Sequence, residues 1–128
     1  MDKELKKILY VEDEADIREI AKISLEELGG FTVKYCSSGK EALDVAESFA
    51  PDLFLLDVMM PVLDGPATLK ELRKIDSLKD VPAIFMTAKV QGSEIEQYKK
   101  IGAIEIISKP FDPMILADLI KSSWKNIK

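Results

Sequence analysis

At 128 residues, 47% of them hydrophobic and with a mean hydropathy of +0.01, the chain has the composition of an ordinary globular domain with room for one core. A formal charge of −5 argues against a general nucleic-acid or membrane-surface binder, which would need a basic face. The absence of histidine removes Ser–His and Cys–His catalysis and most transition-metal sites, and the single cysteine, Cys36, cannot form an internal disulfide.

The N-terminal stretch Met1 to Lys7 is charged and lacks an apolar signal core, and no apolar run approaches the ~20 residues that span a bilayer. A cytoplasmic protein without membrane insertion is expected. From there the sequence alternates short apolar runs with longer amphipathic stretches. The runs are Lys7–Glu12, Phe31–Ser37, Leu53–Asp57, Ala83–Thr87 and Ile104–Ser108. After the first run, Ile17, Ile20, Ala21 and Leu28 fall on one helical face, with Arg18, Glu19, Lys22 and Glu26 elsewhere. Gly29-Gly30 stands where that helix should stop, and Gly102 ends a later one. Cys36, within the second run, reads as a small core residue. Ser38–Glu41 and Ser93–Glu96 read as capping boxes opening helices. Leu53–Leu56 is apolar on both faces, as a strand covered on two sides must be. Asp112-Pro113 predicts the start of the last helix, whose stripe is Leu116, Leu119, Ile120, Trp124 and Ile127. Five strand–helix alternations imply a (βα)5 domain: one doubly wound parallel sheet with right-handed crossovers, in a single unit covering 1–128.

Ligands of open parallel sheets bind beyond the carboxyl ends of the strands. The first strand ends in Glu12-Asp13, the third in Asp57, the fourth in Thr87, and the fifth runs into Lys109. Three carboxylates, a hydroxyl and an ammonium thus converge on one edge. Gathered carboxylates repel, and an oxygen-rich acidic cluster suits Mg²⁺, which takes one or two carboxylates plus a phosphate oxygen. One carboxylate is then free to act as a nucleophile toward phosphorus, with Lys109 and Thr87 placed to meet the charged oxygens. Singly, each residue is equally explained as a helix-start or turn residue. Their joint placement at the strand ends points to phosphoryl chemistry.

With these residues in view, the chain resembles the response-regulator receiver family from about Lys7 to about Trp124. The resemblance rests on Ile-Leu-Tyr-Val-Glu-Asp (8–13), Leu-Leu-Asp-Val-Met-Met-Pro (55–61), Asp-Gly (64–65), Met-Thr-Ala (86–88) and Lys-Pro-Phe (109–111). It implies a flavodoxin-like strand order 2-1-3-4-5; the chemotaxis regulator is a standard example of that order. It further implies Asp57 as phosphoacceptor, Asp13 as a direct Mg²⁺ ligand, Glu12 holding the acidic pocket, and Met59 ligating through its backbone carbonyl. Thr87 resembles the switch hydroxyl and Lys109 the phosphate-binding ammonium, before a cis peptide bond to Pro110. Such a domain is not a turnover enzyme; it promotes its own Mg²⁺-dependent phosphotransfer and slow dephosphorylation. The donor implied is a histidine kinase or histidine phosphotransfer protein, with the downstream protein unknown and no direct nucleic-acid contact.

Ile106 stands at the switch position where many receivers carry Tyr or Phe, so signalling is expected to rely more on Thr87 and the fourth helix. Met59 and Lys89, two residues beyond Asp57 and Thr87, occupy positions that tune access of water to an acyl phosphate. The alternatives are a receiver-fold binding module that is not phosphorylated, and an aspartate-nucleophile phosphatase. The latter usually has a second Asp two residues on, where this chain has Met59.

Overall fold

A computed structural model describes residues 4–88 and 92–127. The chain forms β1 (Lys7–Val11), α1 (Ala15–Lys22), β2 (Thr32–Cys36), α2 (Gly39–Phe49), β3 (Leu53–Asp57), α3 (Gly65–Leu72), β4 (Ala83–Thr87), α4 (Gly92–Lys100), β5 (Ala103–Ser108) and α5 (Leu116–Lys125). All strand pairs are parallel and the sheet order is β2-β1-β3-β4-β5, as the resemblance implied.

Alternation along each strand divides the core into two layers. Leu9, Val11, Phe54, Leu56 and Phe85 pack with Ala42 and Ala46 of α2 and Leu69 and Leu72 of α3. Ile8, Tyr10, Leu55, Ile84 and Met86 pack instead with Ala21 and Leu25 of the first helix and Leu116 and Ile120 of α5. β3 and β4 are buried along their whole length, which explains their unbroken apolar runs. No helix among the described residues is long and apolar enough to cross a membrane.

Several local expectations are corrected. The first helix continues past Lys22 as a π-helical turn, Ile23–Leu28, with Gly29 N–H donating to Ser24 O five residues back at 3.0 Å. That wider turn swings Leu28 off the buried stripe of Ala21, Ser24 and Leu25, leaving it about half exposed; Ile20, one turn earlier at the edge of the stripe, is also about half exposed. Ser38 does cap α2 through Glu41 N–H (3.1 Å), but the returning Glu41 carboxylate accepts from Ser37 N–H (2.7 Å). Gly92 already belongs to α4, so Ser93 lies inside its first turn. Asp112 caps a turn, accepting from Met114 N–H at 2.9 Å, and α5 starts only at Leu116. On that helix Leu116 and Ile120 are buried, whereas Leu119 is exposed.

The junction that matters most for the site lies between β3 and α3. Asp64 caps α3 by accepting from Ala67 N–H at 2.8 Å, and Gly65 N–H donates to Val58 O at 3.0 Å. A Cβ on Gly65 would stand 2.5 Å from Asp57 O and 3.0 Å from Val58 Cα, both backbone atoms that cannot swing aside. Glycine is thus required to let α3 approach the end of β3. Gly65→Ala is expected to lower stability by about 1–3 kcal/mol in urea unfolding, the range for overpacking; an unchanged midpoint would contradict this close approach.

Candidate functional site

β1 leads straight into the acidic pair. Glu12 follows Val11 and is fully buried, while Asp13 is exposed. The Glu12 backbone is held from both sides: its N–H donates to Cys36 O at 2.9 Å, and its carbonyl accepts from Arg18 Nη1 at 2.6 Å. Asp57, the last residue of β3, is only 2% exposed, and Thr87, the last of β4, is equally buried. In register, Asp57 lies beside Met86 and Thr87 beside Ser108, so both emerge on one edge of the sheet.

Lys109 closes the pocket. Its N–H donates to Thr87 O at 2.9 Å, and the bond to Pro110 is cis. Its ammonium donates to Glu12 Oε1 at 2.9 Å and to Asp57 Oδ2 at 3.1 Å. Burial alone would lower the pKa of this lysine, but the hydrogen bonds and charges of Glu12 and Asp57 outweigh it and hold it above its ordinary value. A charged ammonium therefore spans the two buried carboxylates.

One oxygen each from Glu12, Asp13 and Asp57 lies within 4.8 Å of the others. Lys109 occupies Oε1 of Glu12 and Oδ2 of Asp57, while Glu12 Oε2 accepts from Glu14 N–H at 3.2 Å. An all-oxygen, strongly acidic set of this size suits a hard divalent cation such as Mg²⁺. Met59 sits in the loop after β3 with its side chain 66% exposed. Ile106 lies in β5 beside Phe85 in register, half-buried against the layer that includes Tyr98 of α4. Lys89 falls outside the described residues.

Two residues that sequence reasoning missed belong to this site. Tyr10, fully buried, donates its hydroxyl to Glu12 Oε1 at 3.4 Å. Burial, then the charges of Glu12 and Asp57, raise its pKa far above the usual phenol value, so it remains a neutral donor. Its place two residues before Glu12 was the available signal. Arg18, read as pointing away from the core, instead reaches back over the first turn of α1 to the Glu12 carbonyl.

This combination defines a flavodoxin-like α/β domain with a carboxylate–lysine pocket at the carboxyl edge of its sheet. The family model for the response regulator receiver domain matches residues 8–121. The chain belongs to that family: it is a receiver domain of two-component response regulators. Response regulator Rre1 of Synechocystis is 34% identical over 116 residues, covering 90% of this chain and 50% of that protein. The alkaline phosphatase synthesis transcriptional regulatory protein PhoP of Bacillus subtilis is 40% identical over 108 residues, covering 84% of this chain and 44% of that protein. The chain thus spans about half the length of the curated relatives it matches. Among solved structures, chemotaxis protein CheY4 of Vibrio cholerae superposes with a TM-score of 0.86 at 28% identity, covering 94% of this chain and 99% of that one. The receiver domain of Francisella response regulator 1452 gives 0.83 at 30% identity, with 96% and 99% covered.

The electrostatics make a pH test. Burial raises the Glu12 pKa; the hydrogen bond from Lys109 opposes this and the charge of Asp57 reinforces it, leaving the group pushed up to about 7. An unfolded glutamate titrates near ~4.3. A carboxyl whose folded pKa is raised stabilises the fold while protonated, fully below the unfolded pKa, and loses that contribution as pH rises through the folded one. In EDTA, wild-type thermal stability relative to Glu12→Gln is expected to fall between about pH 5 and about pH 8. A constant difference across that window would contradict the pocket electrostatics.

Proposed function

We propose that residues 1–128 form a single cytoplasmic receiver unit that accepts a phosphoryl group on Asp57. A histidine kinase or histidine phosphotransfer protein is the donor in this reading. The observation that carries it is the Lys109 ammonium held between Glu12 and Asp57, at 2.9 and 3.1 Å, at the carboxyl edge of a parallel sheet. Two buried acids gripped by one ammonium and facing an exposed third make a pocket for a cation and a phosphoryl group.

Asp57 supplies a carboxylate oxygen as nucleophile. An O–P bond forms to give an acyl phosphate while the bond from phosphorus to the donor breaks, and the donor leaves with that electron pair. Lys109 moves from carboxylate partner to partner of the new phosphoryl oxygens, so its charge is already in place when theirs arrives. The Thr87 hydroxyl, at the end of the neighbouring strand, donates to one of those oxygens. Glu12, Asp13 and Asp57, with the Met59 carbonyl, would hold Mg²⁺. When bound, it offsets the negative charge that would otherwise repel an anionic donor.

In this account the signal leaves through Thr87 and α4, because β5 offers Ile106 and no aromatic ring at the switch position. The net charge of −5 favours a protein over a nucleic acid as the domain's own contact. A binding module without phosphorylation would use Lys109 only to compensate the buried Glu12 and Asp57 charges, and would leave the exposed third carboxylate of the cluster, Asp13, without a role.

Intact-protein mass spectrometry after acetyl phosphate, with Mg²⁺ or with EDTA, tests the reading. Wild type is expected to gain one labile phosphoryl group only with Mg²⁺, and Asp57→Asn none. Failure with both acetyl phosphate and a histidine-kinase donor would favour the binding module.

A further inference from the structure

On the opposite flank from α5, a groove of about 420 Å³ runs along α3 and is closed by the turn after α4. Pro66, Ala67, Leu69, Lys70 and Arg73 line it from α3 and the residue that follows, and Ile101 from the turn. Pro66, Lys70 and Arg73 are spaced as one helical stripe. Ile101 is 48% exposed over this groove. No residue of the lining carries a carboxylate, in a chain with five more acids than bases.

Arg73 Nη1 donates to Leu78 O at 3.2 Å and also to Val81 O, which pins the guanidinium between α3 and the start of β4. On its other side, a Cβ at Gly102 would meet Arg73 Nη2 at 3.4 Å, so the turn after α4 approaches this guanidinium closely. The cations of the lining are therefore Lys70 and Arg73, both on the α3 side.

We propose that this groove docks an amphipathic helix of a protein partner, whose apolar face enters between α3 and Ile101 and whose flanks are acidic. Charge complementarity selects the acidic flanks: an apolar floor edged by Lys70 and Arg73, with no carboxylate in the lining, disfavours a basic segment. A helix fits better than an extended segment, which would need a free sheet edge for its backbone hydrogen bonds; α3 has its own backbone satisfied and offers only side chains. The surface is independent of the Asp57 chemistry and lies apart from the exposed Met114 and Leu119 on the α5 side.

The test uses ¹⁵N-labelled full chain and two synthetic helical peptides of about 15 residues with the same leucine stripe at helix-in-groove spacing. One carries glutamate on its polar face and the other lysine. The glutamate peptide is expected to shift the amide signals of Ala67, Lys70 and Ile101 and to bind at least ~10-fold more tightly than the lysine peptide. Ile101→Glu should weaken it by a similar factor, Lys70→Glu should abolish the preference, and Leu119→Glu should change nothing. Circular dichroism and Mg²⁺-dependent phosphorylation of each variant establish that it remains folded. Binding of neither peptide, equal binding of both, shifts centred on Met114 and Leu119, or peptide-free self-association abolished by Ile101→Glu would each overturn the proposal.

Discussion

Two buried carboxylates cannot share a pocket without a compensating charge, and in this protein Lys109 provides it. Removing a charge from water costs several kcal/mol per ion even after the protein relaxes, so Glu12 and Asp57 are tolerable inside only because an ammonium lies between them. That requirement reaches through the fold. Glu12 must end β1, Asp57 must end the neighbouring β3, and the turn after β5 must return Lys109 across β4. The backbone hydrogen bond from Lys109 to Thr87, at 2.9 Å, anchors that return. Arg18 and Cys36 fix the Glu12 backbone, and Tyr10 adds a neutral hydroxyl from below. The sheet order is therefore inseparable from the chemistry: only strands in the sequence β1-β3-β4-β5 bring these ends into reach.

Much of this was legible in the residues because the signals were redundant. Leu53–Leu56 is apolar on both faces, which in a soluble chain demands helices on two sides, and β3 is buried throughout. The polar residues closing four runs had to appear at one edge once the sheet was parallel. What escaped was tertiary in origin. Periodicity of 3.6 placed Leu28 in the core, but the π-helical turn at Ile23–Leu28 inserts extra angle and leaves Ser24 and Leu25 there instead; Ile20, at the edge of the stripe, is exposed as well. Asp112-Pro113 is a sound helix-start signal that caps a turn one step too early. Arg18 was read by its polarity alone, yet a guanidinium is long enough to reach back to the Glu12 carbonyl while its stem covers the first turn.

The face around β4 and α4 shows how an unusual residue fits. Ile106 is half-buried beside Phe85, and the ring that meets Phe85 comes from α4: Tyr98, edge-on, with centroids 5.3 Å apart. Burial, then the charges of Glu94 and Asp64, raise the Tyr98 pKa, so the phenol stays neutral. An aromatic contact between strand and helix is thus retained on this face although β5 contributes isoleucine. Such a contact packs α4 against β4, whose last residue is Thr87.

The central claim is that the Lys109-bridged pocket directs phosphorylation to one carboxylate, and chemical trapping addresses it most directly. An acyl phosphate on aspartate is reduced by borohydride to homoserine, which tandem mass spectrometry locates by residue. After phosphorylation with Mg²⁺ and trapping, homoserine is expected at position 57 alone. Homoserine at position 13 or 64, or spread over several aspartates, would contradict the account.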